Sequence, residues 1–115
     1  MNILNSKLLI IKIGSSTLVD KTENFKKDWI NKLIDDVHFL IKKKIKVIIV
    51  TSGAIALGCK LLKKNKKKLK LKEHQAIAAV GQIELMNLFK KSFLRKKIKI
   101  AQILLTLEDT ENRRR

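Results

Sequence analysis

The chain has 115 residues, a hydrophobic content of 45% and a formal net charge of +17 at pH 7. This length allows one domain, and the apolar content is sufficient for a packed core, which excludes an intrinsically disordered tail. No apolar run reaches the about 18 residues of a membrane span, and the N-terminus lacks the apolar stretch of a signal peptide. We therefore expect a cytoplasmic protein with no membrane partner.

The basic charge by itself would favour a polyanion-binding protein, because lysines that neutralise phosphates release counterions. However, lysine far outnumbers arginine and proline is absent, a composition typical of proteomes with A/T-rich codons. Aromatic residues that could stack on bases are few, and they are not interleaved with the basic runs. The composition disfavours nucleic acid as a partner, and whether the lysine content is functional or compositional stays open.

The first predicted element is a strand that ends in a small polar loop. Five of the seven residues at 8–14 are Leu or Ile, as expected for a parallel strand covered on both faces. Lys12 interrupts this run, and a buried ammonium is costly without an anionic partner. Gly14 permits a close backbone approach or a positive φ, and the amides and hydroxyls of Ser15 and Ser16 can donate to phosphate oxygens. The pattern predicts an anion site, although a Lys12 ammonium that simply reaches water explains it equally well.

A helix over 25–43 and a second strand over 46–50 follow, and together with the first strand they predict a parallel βαβ unit. The apolar stripe of this helix consists of Trp29, Ile30, Leu33, Val37, Leu40 and Ile41. The second strand leads directly into 51–54, which places Ser52 or Gly53 at a helix N-terminus, where free amides favour an anion. A Ser52 that only caps the helix is the alternative. Because both loops follow the carboxyl ends of parallel strands, we expect them to converge on one crevice.

The lysine-rich segment 60–72 is predicted to be a solvated loop, or else an anion-binding edge or lid. A helix over 72–95 and a third strand over 98–105 come next. Gly81 within this helix costs about 1 kcal/mol relative to alanine, which suggests a tight backbone approach. Thr106 can cap a further helix whose first turn holds Glu108, Asp109 and Glu111, an explanation preferred to a metal site. Cys59 is expected to be a buried small hydrophobic residue.

Four segments carry a family resemblance: IIKIGSS at 10–16, VIIVTSGAIALG at 47–58, AAVGQIELM at 78–86 and AQILLT at 101–106. In this order they resemble the successive blocks of the glutamate 5-kinase family, within the amino-acid kinase superfamily. The resemblance implies an α/β fold of three αβα layers around a mainly parallel sheet. It also implies that residues 1–115 are a partial amino-acid kinase domain, its N-terminal half.

The function implied by the resemblance is transfer of the ATP γ-phosphoryl group to the side-chain carboxylate of L-glutamate in proline biosynthesis. ATP and Mg²⁺ are the implied cofactors, and the full-length form is expected to be a homo-oligomer. Lys12 matches the lysine that contacts the transferring phosphoryl group. Gly14, Ser15 and Ser16 match the phosphate loop, while Ser52, Gly53 and Ala54 match the turn that holds glutamate. No residue of this chain is assigned as a metal ligand.

The departure from the family is length, because the superfamily domain is much longer than this chain. The absent half carries the nucleotide-binding loop, so we expect the 115 residues to be inactive alone. Two alternatives stay open: a non-catalytic fragment or regulatory partner of a kinase, and a basic polyanion-binding protein.

Overall fold

The computed structural model describes residues 2–22 and 24–105. Within them the chain forms strand β1 (Leu8–Ile13), helix α1 (Ser15–Leu18), helix α2 (Lys27–Lys42), strand β2 (Lys46–Thr51), helix α3 (Ala54–Leu62) and helix α4 (Leu71–Leu94). Short 3-10 turns occur at Ile3–Asn5 and Lys66–Lys68. None of the helices in this part of the chain is long and apolar enough to cross a membrane.

The two strands form a parallel pair whose register runs from Leu8 opposite Lys46 to Ile13 opposite Thr51. Helix α2 lies between them in the sequence, and its C-terminal end leads into β2 through a turn at 43–45. Parallel strands require such a crossover, because a tight hairpin can join only antiparallel strands. The predicted βαβ unit and the α/β class are confirmed.

The described residues cover only one face of this sheet. Ile11, Ile13, Val47 and Ile49 face a core that also contains side chains from all four helices. The alternate residues are largely exposed: Leu8 by 49%, Ile10 by 61%, Ile48 by 43% and Val50 by 47%. The prediction that β1 is covered on both faces is therefore wrong within the described residues, which supply helices to one side of the sheet only.

The core is organised around α2 and α4. Helix α2 buries Ile30, Ile34, Val37 and Leu40. Trp29 and Ile41, predicted in its buried stripe, are exposed by 38% and 41%. From α4, the Phe89 ring meets Phe25 edge-on at a centroid distance of 6.0 Å and stacks on Phe93 at 6.3 Å. Such aromatic contacts stabilise the core beyond the apolar surface that they bury. The contact with Phe25 also fixes the position of α4 relative to the segment before α2.

Three helices end in the same way, each with a lysine in the left-handed region. The φ angles are 63° at Lys44, 54° at Lys63 and 58° at Lys97. In each case the next residue donates its amide to the carbonyl five positions earlier, the bond of a Schellman motif; the pairs are Ile45 to Leu40, Lys64 to Cys59 and Ile98 to Phe93. Glycine is the usual residue at this position.

The predicted third strand at 98–105 is wrong in this structure, which assigns no strand there. A strand exists only through hydrogen bonds to a neighbour, and no described residue pairs with this segment. Most of its apolar side chains are exposed, Ile103 by 78% and Leu105 by 74%, whereas Ile98 is partly buried against the core. The predicted loop at 60–72 begins later than expected, because α3 continues to Leu62. The acidic cluster after Thr106 lies outside the described residues.

Candidate functional site

The ends of the two strands bring two polar turns together. Ile13 and Thr51 are register partners at the carboxyl ends of β1 and β2. Immediately beyond this pair, the amide of Ser52 donates to the carbonyl oxygen of Ile13 over 3.3 Å. A Cβ built on Gly53 would lie 3.8 Å from the Cα of Ser15, so the turn after β2 contacts the turn after β1.

A shallow depression of about 290 Å³ lies at this junction. Its lining residues come from three elements, and most have small side chains: Ser15, Ser52, Gly53, Ala54, Ile55, Ala56 and Ala78. The structure thus brings four of the seven predicted site residues to one surface, namely Ser15, Ser52, Gly53 and Ala54. Lys12, Gly14 and Ser16 are not among its lining residues.

The turn after β2 depends on Gly53. This residue has φ 110° and is the N-cap of α3, with no side-chain hydrogen bond to the cap. Such a φ favours glycine, because a Cβ there is strained. The alternative in which Ser52 caps the helix is therefore wrong. The Ser52 side chain is exposed, and its hydroxyl makes no hydrogen bond within the described residues. The first amides of α3 have no acceptor inside the helix, and the residues that carry them, 54–56, line the depression.

The turn after β1 has a different geometry. Gly14 has φ −76° and ψ 161°, so a positive φ is not the reason for glycine here. Apart from Gly14 and its two chain neighbours, no described residue has an atom within 4 Å of a Cβ built on Gly14, which leaves open space beside the backbone. The amides of Thr17 and Leu18 donate to the Gly14 carbonyl, at 3.1 and 3.3 Å. The amides of Ser15 and Ser16, at the start of the helix, keep no helical acceptor and can donate to a ligand.

Lys12 is exposed and lies on the uncovered face of the sheet, opposite Val50 in register. Alternation along the strand explains this position, because Ile13 points into the core and its neighbour must point away. The argument from a buried ammonium is therefore wrong for Lys12. Its side chain forms no ion pair within the described residues, where both salt bridges involve Asp35.

Two further lysines support the loop that follows α1, and sequence patterns gave no signal for either. The Nζ of Lys26 donates to the carbonyl oxygen of Ser16 over 3.0 Å. The Nζ of Lys60, near the end of α3, donates to Oδ1 of Asn24. The first contact joins the residue after the loop at 19–25 to α1, and the second joins Asn24 within that loop to the C-terminal part of α3.

Asp20 organises this loop. Its Oδ1 accepts from the Thr22 hydroxyl at 2.7 Å and from the amides of Thr22 and Asn24 at 2.9 Å each. The hydrogen bond from the Thr22 side chain, followed by that from the Asn24 amide, holds the pKa of Asp20 below its ordinary value. The Asp-x-Thr spacing is a signal that could have predicted this turn, since Asp side chains commonly bond the backbone two residues on.

Residues 7–115 match the amino acid kinase family, and the chain belongs to this family. Its parallel βαβ unit with two polar turns at the carboxyl ends of the strands is the part of the fold that the described residues supply.

Three curated proteins similar to this chain are named glutamate 5-kinase. The chain is 55% identical over all of its 115 residues to the glutamate 5-kinase of Pelagibacter ubique, covering 31% of that protein. It is 47% identical over 113 residues to the glutamate 5-kinase of Bartonella henselae and 50% identical over 107 residues to that of Agrobacterium fabrum. These matches cover 98% and 93% of this chain and 30% and 28% of the two relatives. The chain thus spans about 30% of the length of the curated relatives it matches.

Proposed function

We propose that residues 1–115 form the N-terminal part of a glutamate 5-kinase, which transfers the γ-phosphoryl group of ATP to the side-chain carboxylate of L-glutamate. The observation that carries the proposal is the contact between the turns at Ser15 and Gly53, around one depression, in a chain 55% identical to a protein of that name. The reaction would belong to proline biosynthesis in the cytoplasm. A homo-oligomer is proposed for the longer protein.

In this proposal the two turns bind different substrates. The unbonded amides of Ser15 and Ser16, with the open backbone of Gly14, bind phosphate oxygens of ATP. The exposed hydroxyl of Ser52 and the amides that begin α3, after Gly53 and at Ala54, bind carboxylate oxygens of glutamate. The amides in both groups are neutral and held in place by the backbone, so they orient the two reactants without reorganising during the reaction.

Lys12 supplies positive charge. Phosphoryl transfer passes through a loose transition state in which charge spreads over the equatorial oxygens, so positioning and electrostatic stabilisation dominate. Lys12 is exposed and has no ion pair among the described residues, so its ammonium is available to contact phosphoryl oxygens when the substrates bind. In the proposal, its ammonium contacts the transferring group from the uncovered side of the sheet.

The nucleotide would bring a divalent cation, which neutralises phosphate charge when bound. Among the residues that the structure describes, no group of three or more His, Cys, Asp or Glu side chains could hold a metal ion. We therefore assign no Mg²⁺ ligand to these residues. Mg²⁺ is commonly held by substrate phosphates with one or two carboxylates.

A chimera tests the proposal. Residues 1–115 replace the matching N-terminal segment of the Pelagibacter ubique glutamate 5-kinase, and the product is named the Pelagibacter chimera. An acyl phosphate reacts with hydroxylamine, so we expect γ-glutamyl hydroxamate to accumulate with ATP, Mg²⁺ and L-glutamate. Reactions with D-glutamate or L-aspartate, or without ATP, are the controls. Folded chimera that forms no hydroxamate from L-glutamate would contradict the proposal.

A further inference from the structure

Helices α3 and α4 cross at two glycines that leave no room for a side chain. A Cβ built on Gly81 of α4 would overlap the carbonyl oxygen of Ala54 and lie 2.6 Å from its carbonyl carbon and 2.8 Å from the nitrogen of Gly58. A Cβ built on Gly58 would overlap the carbonyl oxygen of Ile77 and lie 2.7 Å from its Cγ2. The two backbones therefore touch directly over one helical turn.

The Gly81 contact falls on the first turn of α3. Ala54 is the first residue of that helix, and Gly53, its N-cap, is the residue with the left-handed φ. The carbonyl of Ala54 and the amide of Gly58 are four residues apart, the spacing of one helical hydrogen bond. A methyl group at position 81 would have to displace this pair, and with it the start of the helix.

Helix α4 also reaches the depression itself. Ala78 is a lining residue and lies one helical turn before Gly81 on α4. It is partly buried, in contrast to the exposed Ala79 and Val80 that follow it. The same face of α4 thus contacts the backbone of the turn at 52–54 and closes one side of the depression with a methyl group.

We propose that Gly81 is a positioning residue for the carboxylate-binding turn and that Ala78 forms the wall beside it. Gly81 fixes how far the start of α3 lies from α4, and so fixes the amides and the Ser52 hydroxyl that we assign to glutamate. This inference rests on the proposed function for the identity of the ligand. It assigns α4 a role in substrate affinity beyond covering the sheet.

The test compares Gly81→Ala with Gly58→Ala in the Pelagibacter chimera. Both variants add one methyl group to the same helix crossing. Gly58, however, lies one helical turn farther from Gly53 than does Ala54, the residue whose carbonyl Gly81 contacts. We expect Gly81→Ala to raise the KM for glutamate about tenfold or more with kcat changed less than about threefold, because small misplacements of binding groups are costly. Gly58→Ala should lower the thermal midpoint while its KM stays within about threefold of the parent. An equal rise in both variants, or no rise at position 81, overturns the proposal.

If Gly81→Ala yields no folded protein, the KM for glutamate of Ala78→Val tests the proposal instead. The added methyl groups enter the depression rather than the helix crossing, so we expect KM to rise about fivefold or more at an unchanged thermal midpoint. An unchanged KM would overturn the role of α4.

The parent chimera separates this inference from the proposed function, because glutamate turnover by the parent tests the function alone. A readout that needs no catalysis is the amide resonance of Gly53 after [¹⁵N]glycine labelling. We expect Gly81→Ala to shift it and Gly58→Ala to leave it nearly in place. A Gly53 resonance that does not respond to Gly81→Ala would contradict the positioning role even in an inactive chimera.

Discussion

The amide of Ser52 donates to the carbonyl oxygen of Ile13 over 3.3 Å, one residue past the end of the sheet. This bond continues the pairing of β1 with β2 into the turns and holds the two turns in contact. It uses only backbone atoms of Ser52, so the side chain of this residue is left for another partner. The site's shape and its ligand contacts can therefore be tested separately.

Ser52→Ala should raise the KM for glutamate about tenfold in the Pelagibacter chimera, because a hydrogen bond to a charged group is worth about 1.5–3 kcal/mol. The thermal midpoint should not change, since the bond from the Ser52 amide to Ile13 remains. Ser6→Ala is the matched control, removing a hydroxyl at the opposite end of β1. Steady-state kinetics with glutamate varied gives the answer, and a KM equal to that of Ser6→Ala would exclude a role for the Ser52 hydroxyl.

Lys12→Ala should lower kcat by about 10²-fold or more with a smaller effect on the glutamate KM, because its charge acts mainly in the transition state. Stability should be unaffected, since Lys12 is exposed and makes no ion pair within the described residues. Lys46→Ala removes an exposed lysine from the same sheet face at its other end and should leave kcat unchanged. Loss of substrate binding with kcat retained in Lys12→Ala would contradict the assigned role.

Gly53→Ala should lower the stability of the fold, whereas Gly14→Ala should leave stability unchanged and weaken ATP binding. Alanine at 53 must adopt φ 110°, so we expect a loss of about 1–3 kcal/mol in the free energy of unfolding. Alanine at 14 keeps φ −76° with no atom within 4 Å, so stability should be retained. If ATP phosphates approach the Gly14 backbone, however, the KM for ATP should rise. Denaturant unfolding and ATP kinetics on both variants distinguish these effects, and destabilisation by Gly14→Ala would contradict open space beside its backbone.

The loop at Asp20 should become less stable in acid. Its hydrogen bonds from Thr22 and Asn24 lower the pKa of the native carboxyl, so the ionised form is favoured more in the folded than in the unfolded state. The resulting stabilisation is present above the unfolded-state pKa and is lost as pH falls through the lowered native pKa. The thermal midpoint of the parent should therefore exceed that of Asp20→Asn near neutral pH, and the difference should shrink in acid.

Asp36→Asn serves as the control for this series, because Asp36 is exposed on α2 and makes no hydrogen bond through its side chain within the described residues. If the difference in thermal midpoint between Asp20→Asn and the parent stays constant from neutral to acidic pH, the charge of Asp20 is excluded as the cause of that difference.

Periodicity and composition predicted much of this fold. The apolar runs placed β1 and β2 within a residue or so, and helical spacing placed α2 and α4. The covered face of the sheet could not be predicted, because Leu and Ile occupy both the buried and the exposed positions of β1. The strand predicted from the apolar run at 98–105 was wrong for a related reason. A strand requires a hydrogen-bonded neighbour, and a local sequence pattern does not show whether one exists. The lysines with positive φ at the helix ends gave no signal, because glycine is the residue that marks such ends.

The site was predicted unevenly. Strand ends followed by Gly-Ser-Ser and Thr-Ser-Gly correctly indicated two neighbouring turns, because parallel strands end at the same edge. The apolar neighbours of Lys12 predicted that it is buried. This was wrong, because side chains alternate between the two faces of the strand and Lys12 lies on the exposed face. The contacts of Lys26 and Lys60 join residues 10 and 36 positions apart. Long side chains with many rotamers make such contacts invisible in a sequence pattern.

The central claim is that residues 1–115 contribute one wall of a glutamate kinase site. The most direct measurement is ADP release with ATP, Mg²⁺ and L-glutamate, from the purified 115-residue chain and from the Pelagibacter chimera side by side. Groups that act as a unit do not contribute additively, so half of a site should not give half of the activity. We predict glutamate-dependent ADP release from the chimera and none from the isolated chain. Glutamate-dependent turnover by the 115 residues alone, or its absence from a folded chimera, would contradict the account.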